Sequence, residues 1–227
     1  MLVEIFGKKS KSTGARKLIA KNKGEHMSIE KEAQVLYLAS KNSNKLREFK
    51  EILGVNWLVK GVDDLDPQLT WVESGQTFAD NAKIKVLALK SLVQTEPILG
   101  EDSGLCIDAL DGAPGVFSAR YYGDQVPQEQ KNKKILEEMQ GLPLEKRTAY
   151  FVCCIQYLNE KQEWSHFEGR CYGTIAEQAR GGGGFGYDPI FIPKGSKKTL
   201  SQMTSDEKHE LSHRRKAISA WRSSILN

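Results

Sequence analysis

The stretch Ile98-Leu99-Gly100-Glu101-Asp102-Ser103-Gly104-Leu105 decides how this chain is read. An apolar, strand-like approach ends in two adjacent carboxylates, and Ser103-Gly104 is expected to turn the chain there. In an open α/β protein, ligands sit beyond the C-terminal ends of strands, so a carboxylate at this point is well sited to hold a metal. Neighbouring side chains on a strand point to opposite faces. Unless the strand breaks between them, Glu101 and Asp102 need not share a pocket, and Asp102, nearer the turn, is the one expected in the cleft. Taken alone, the pair is weak evidence, because an ordinary polar strand end is the commoner reading.

Upstream, Val35-Leu36-Tyr37-Leu38-Ala39 reads as another buried strand. It feeds through Ser40-Lys41-Asn42-Ser43-Asn44-Lys45 into a helix whose Leu46, Phe49, Ile52 and Leu53 share one face and which Gly54 stops. A helix start of this kind offers backbone N–H groups to an anion. Lys45 in its first turn opposes the helix dipole. A phosphate ligand would remove that conflict; a solvated lysine is the alternative. Further on, Glu73-Ser74-Gly75-Gln76-Thr77 leads into a predicted helix over 78–93, with Phe78, Ala82, Val86, Leu89, Leu92 and Val93 on one stripe. Lys85 falls in the middle of that stripe, and an inward lysine must snorkel or find an anion. Ile84 and Leu87 on the opposite side predict a helix covered on both faces.

Residues 106–177 read as scaffold and a possible oligomer surface, with no chemistry assigned. Gly112-Ala113-Pro114-Gly115 is a rigid turn, and a helix over 128–139 has Ile135, Leu136 and Met139 apolar. Tyr150–Leu158 and Trp164–Glu168 form a predicted hairpin, with a separate strand over Cys171–Ile175.

Two motif matches fail on their context. Gly181–Gly186 satisfies the dinucleotide fingerprint G-x-G-x-x-G, but Pro189 follows closely where a helix should begin. What remains is a glycine hinge that presents Phe185, Tyr187 and Asp188, and an aromatic there can stack a base. His209-Glu210-Leu211-Ser212-His213 satisfies the zinc-protease pattern, yet no Asp, Glu, His or Cys follows to serve as third ligand. Thr204–Glu207 reads as a capping box. Ser212 reads as the cap of a C-terminal helix with Ala217, Ile218, Trp221 and Ile225 apolar, which would leave His213 and Arg214 at its exposed start.

The chain of 227 residues is long enough to bury a sizeable core, and no apolar run reaches spanning length. Its net charge of +4 is misleading, because residues 1–26 hold seven Lys/Arg against two Glu and the remainder is close to neutral. The body is therefore not expected to bind nucleic acid. Residues 1–33 read as a basic extension, with Met27 a sensible natural start, and residues 34–227 as the working domain. Cys106, Cys153, Cys154 and Cys171 form no CxxC pair and suit reduced thiols.

Six blocks, in order, carry a resemblance. They are Ser40-x-Asn42-x-x-Lys45, Glu73-x-Gly75-x-Thr77-Phe78-x-x-Asn81-Ala82, Asp102-Ser103-Gly104-Leu105, Gly112-Ala113-Pro114-Gly115 with Ser118-Ala119-Arg120, Phe185-Gly186-Tyr187-Asp188-Pro189 and Ser212-His213-Arg214. Together they resemble the inosine triphosphate pyrophosphatase family from about Val35 to the C-terminus. The resemblance implies an α/β, elongated two-lobed fold around a long mixed β-sheet with a nucleotide-binding cleft. It implies a cytoplasmic homodimer that hydrolyses ITP, dITP and XTP to the monophosphate plus pyrophosphate with Mg2+. By position, Ser40, Asn42 and Lys45 would hold phosphates and Lys85 would neutralise them. Glu73 and Asp102 would coordinate Mg2+, with Glu101 assisting and Asp102 the base for the attacking water. Phe185 would stack on the purine, with Asp188, His213 and Arg214 reading its edge. Ser103, Gly186, Tyr187 and Lys208 complete the implied substrate-binding set. Three rivals remain at this level: a related Maf-like pyrophosphatase acting on other nucleotides, a catalytically silent nucleotide sensor and, with least support, a zinc hydrolase.

Overall fold

The computed structural model describes residues 33–226. The basic extension and the start at Met27 fall outside the described residues. Strand β1 (Gln34–Ala39) leads into helix α1 (Ser43–Leu53), then β2 (Trp57–Lys60), α2 (Phe78–Lys90) and β3 (Ile98–Ile107). Helix α3 (Gln128–Glu138), the long strands β4 (Thr148–Leu158) and β5 (Trp164–Ile175), a short β6 (Phe191–Pro193), α4 (Ser205–Leu211) and α5 (His213–Leu226) follow. One mixed sheet results, in the order β2-β1-β3-β4-β5-β6. Its first three strands are parallel and the remainder antiparallel.

The two-residue pleat of a strand sorts the core. Leu36 and Leu38 of β1 point to one face, where they pack with Phe49 and Ile52 of α1 and with Ala217, Ile218 and Trp221 of α5. Tyr37 and Ala39 point to the other, against Val86 and Leu89 of α2. Trp221 is fully buried, its ring centroid 5.1 Å from that of Trp57 and 5.4 Å from that of Tyr157. Truncating such a residue costs about 3–5 kcal/mol. A further cluster joins Leu105 and Ile107 of β3 to Ile135, Phe151, Tyr187 and Phe191.

Three local expectations are corrected. Ser103-Gly104 makes no turn: β3 runs through it, paired with β4 from Ile98–Leu158 to Ile107–Ala149. Gly104 serves close packing instead, because an added Cβ would collide with the Ser118 hydroxyl and the Gly115 carbonyl. The two strands expected between 164 and 175 are one, since Gly169 does not break β5 but lets the backbone of α5 approach at His213. Helix α2 is buried on one face only and ends at Lys90; Leu87 is half exposed and Leu92 lies beyond the helix, partly exposed. The Gly54 stop is the one read from sequence, with a positive φ, and within the Ser/Asn stretch before α1 the structure selects Asn42 as the cap, its side chain accepting from Asn44 and Lys45 N–H. No described helix is long and apolar enough to cross a membrane.

Candidate active site

Because β3 does not break, Glu101 and Asp102 face opposite sides of the sheet, and each organises its own ionic cluster. On the α2 side, Lys85 rises from the inner stripe of the helix with its Nζ 2.6 Å from Asp102 Oδ1 and 2.9 Å from Glu73 Oε1. It also donates to the Glu101 carbonyl at 3.2 Å. Asn81, fully buried, donates to Asp102 Oδ2 at 3.3 Å and accepts from Gly75 N–H at 2.9 Å, which ties the Glu73 loop to the strand. The Arg120 guanidinium holds Glu73 from the other side, at 3.3 Å to Oε2 and 3.0 Å to the backbone carbonyl.

Burial pushes the Asp102 carboxyl above its usual range, and Lys85 and Lys45 only partly offset this. Burial also works against the charge on Lys85, but Asp102 and Glu73 outweigh it and raise its pKa, so the ammonium stays protonated. For the more open Glu73, burial is overcome by Lys85, and its pKa falls.

On the α5 side, Glu101 lies between Lys45 Nζ at 2.7 Å and Arg214 Nη2 at 2.9 Å, and Arg214 also donates to Ser103 Oγ at 3.1 Å. The other end of the Arg214 guanidinium pairs with Glu48 of α1, whose second oxygen takes Lys208 Nζ at 2.7 Å. Lys208 in turn reaches Asp188 Oδ2 at 2.7 Å, and the same oxygen accepts from Phe185 N–H at 2.8 Å. The chain of contacts thus ends under the Phe185 ring, with Lys208 Nζ 4.8 Å from its centroid. Burial opposes ionisation of Glu48 and Glu101, but the flanking cations win. Glu48 falls to about 2 and Glu101 well below its usual range. A network with so many charges inside the protein is stable only if each has its partner.

Both clusters open on one cleft of about 680 Å³, which also admits Ser40, Asn42, Lys45, Ser103, Gly186 and His213. The start of α1 therefore faces the paired carboxylates and the Phe185 loop across the same space. His213 and Arg214 are not at an exposed helix start as expected: they are buried beneath the cleft, although Ser212 does cap α5 by accepting from Arg215 N–H. The His213 ring stacks on Phe151 with centroids 5.0 Å apart, and burial keeps it neutral. Among the described residues, His213 Nδ1 and Arg214 Nε are buried without a partner, atoms of the kind that a ligand's polar edge satisfies. Tyr187 is buried and donates its hydroxyl to the Ser118 carbonyl at 2.8 Å, so it secures the glycine loop as well as lining the cleft.

The zinc-protease pattern is not realised. His209 and His213 lie on separate helices broken at Ser212, and His209 instead meets Glu51 at 3.2 Å. The Gly181–Gly186 run is a loop leading to a 3₁₀ turn at Asp188–Ile190. Reading 106–177 as bare scaffold is also corrected: Arg120 grips Glu73, and Asn132 of α3 donates to the Gly186 carbonyl at 3.1 Å. Glu48 escaped the sequence reading entirely. Its only signal was a carboxylate beside Phe49 on the inward side of α1, which periodicity alone did not mark.

The chemistry of the donor set fits Mg2+. Glu73 and Asp102 come from different elements, supply hard oxygens, converge on one nitrogen and border the cleft. Carboxylate oxygens with room for water suit that ion better than a soft one.

A family model described as the Ham1 family matches residues 36–223. The chain is 44% identical to a dITP/XTP pyrophosphatase of Halalkalibacterium halodurans over 182 residues, covering 80% of this chain and 93% of that one. It is 42% identical to the Bacillus subtilis protein of the same name, covering 85% and 96% respectively. Among solved structures, the Ham1 protein of Staphylococcus aureus superposes with a TM-score of 0.75 at 35% identity, covering 85% of this chain and 98% of that one.

Proposed function

As this chain belongs to the Ham1 family, we propose that it hydrolyses non-standard purine nucleoside triphosphates (dITP, ITP and XTP) to the monophosphate and pyrophosphate, and so keeps deaminated purines out of DNA and RNA. The observation that carries this reading is the meeting, in one cleft, of the Glu73–Lys85–Asp102 cluster, the N-terminus of α1 and the Phe185 loop. A triphosphate spans such a cleft with its base on Phe185 and its phosphates at Ser40, Asn42 and Lys45.

Glu73 and Asp102 would hold Mg2+, which supplies charge neutralisation at the phosphates and orients a water. Asp102, its carboxyl raised by burial, accepts the proton of the attacking water. The water oxygen bonds to the α-phosphorus, the bond to the bridging oxygen breaks, and pyrophosphate leaves. Lys85 stays protonated and offsets the charge that gathers on the phosphates. Lys208 and Arg214, held by Glu48, flank the base site and face a 6-oxo group with donors; adenine would meet them with its 6-amino donor and be rejected. The unpartnered His213 Nδ1 supports the same reading. We place the enzyme in the cytoplasm, where its four free cysteines would stay reduced, and as a homodimer.

The test is turnover of ITP, XTP, GTP and ATP with Mg2+, with pyrophosphate and orthophosphate measured separately, alongside Asp102→Asn. Pyrophosphate from ITP and XTP, little from GTP or ATP, and loss in the variant support the assignment. Orthophosphate instead would mean the wrong bond and defeat it, and binding without turnover would make the protein a sensor.

A further inference from the structure

On the α2 side of the sheet, next to the cleft but not lining it, lies a second group of metal-ligating side chains that the proposed reaction does not use; its Cys154 stands opposite Asp102 in the β3–β4 register. The β4–β5 register sets Cys154 directly opposite Glu168 and Gln156 opposite His166. In an antiparallel pair, such residues share a face. The sulfur, imidazole and carboxylate atoms of Cys154, His166 and Glu168 all lie within 4.8 Å of one another. Cys154 forms a buried floor, while His166 and Glu168 are exposed. Strand β6 pairs with Gly173–Ile175, so among the described strands none lies outside this part of β5, and His166 and Glu168 face solvent above the buried Cys154.

We propose that Cys154, His166 and Glu168 form a site for a borderline-soft divalent cation such as Zn2+, adjacent to the Mg2+ carboxylates but with its own ligands, and with water as the fourth ligand. The Cys154 Sγ to Glu168 Oε2 separation is 3.4 Å. Tetrahedral zinc, with bonds of about 2.0–2.3 Å, holds such ligands roughly 3.5 Å apart, so two of the three already stand at the spacing required. The neighbours supply orientation. Arg170 Nε donates to Glu168 Oε1 at 2.6 Å and leaves Oε2 turned toward the sulfur. The Gln156 amide lies 3.3 Å from His166 Nδ1, and with its oxygen turned to that nitrogen it would hold Nδ1–H and free Nε2 for the metal. Arg170 also places a positive charge beside the site, a cost that thiolate coordination must exceed. Uptake of the ion replaces the S–H bond with a metal–sulfur bond and releases one proton. A thiolate–imidazole pair selects against Mg2+, so the two sites would not compete for the same ion.

Co2+ is the probe, added to the purified full-length protein in a large excess of Mg2+. The expected result is one equivalent bound with a thiolate-to-cobalt charge-transfer band, displaced by Zn2+. Cys154→Ser abolishes the band, Cys106→Ser keeps it, and the exposed His166→Ala weakens the affinity by about tenfold or more. The proposal is overturned if no band forms, if the band survives Cys154→Ser, or if His166→Ala binds as tightly as the parent. Loss of the band in Asp102→Asn with Cys154 intact would also overturn it, because the ion would then sit at the catalytic carboxylates. Pyrophosphatase turnover with Mg2+ is read separately, so neither result depends on the other.

Discussion

Replacing Lys85 by Met tests whether the buried cluster is held by its central charge. In the native protein one ammonium serves Asp102 Oδ1, Glu73 Oε1 and the Glu101 carbonyl, and the Asp102 side chain it neutralises is 7% exposed. Met fills similar volume but leaves Asp102 facing Glu73 with no cation between them. Breaking a buried pair on one side costs about 3–5 kcal/mol, a large share of the roughly 5–15 kcal/mol that a domain has in total. For a chain of this size, that lowers Tm by roughly 6–20 °C. Asp102→Asn in the same background removes the stranded charge, so the double variant should regain about 2 kcal/mol relative to additivity. Acid should help as well. Lys85 lowers the pKa of both Asp102 and Glu73, so without it both carboxyls take up protons at higher pH in the folded state. A carboxyl raised in the fold is stabilising when protonated, so the deficit of the variant shrinks as pH falls from neutral toward 5. Urea unfolding at both pH values for the parent, the two single variants and the double variant completes the cycle. Additive losses that do not change with pH would refute the reasoning.

Glu48, at about 2 in the folded state against an ordinary 4.5, contributes stability that is full above pH 4.5 and lost as pH falls through 2. The shift corresponds to about 3 kcal/mol, so Glu48→Gln should lose stability at neutral pH and flatten the urea-midpoint profile between pH 4.5 and 2. Phe185→Ala should raise KM for ITP and XTP by the equivalent of about 1–3 kcal/mol of lost stacking while the thermal melt stays put; an unchanged KM would remove the ring from the base site. In Gly100→Ala the new Cβ meets the Ala82 carbonyl and the Val86 side chain, so α2 must move off β3. Stability should fall by about 1–3 kcal/mol and turnover with it, because Lys85 and Asn81 ride on that helix; full activity would mean the helix does not set their position.

Local patterns were legible where one segment decides its own conformation. The β1–α1 unit, the capping role of its Ser/Asn stretch and its Gly54 stop follow from short-range periodicity and capping chemistry. Lys85 was marked by its place on an apolar stripe, and its partners are the acids read as neighbours of helix and strand. The failures arise where distant backbone decides. Gly104 and Gly169 look like punctuation in one dimension, yet each is a point where another part of the chain presses against an unbroken strand. His213 and Arg214 look like an exposed helix start, and burial follows from the packing of α5 against β4 and β5.

By itself, then, the sequence determined the α/β class, most of the residues that carry charge near the cleft and the family, because the spacing of six blocks survives without coordinates. Only the tertiary structure decided who pairs with whom. It put Glu101 and Asp102 on opposite faces, brought Glu48 to Lys208 and Arg214 across 160 and 166 positions, and set Arg120 on Glu73. A buried charge is tolerable only beside its complement, and that complement is chosen by the fold in three dimensions, not by proximity along the chain.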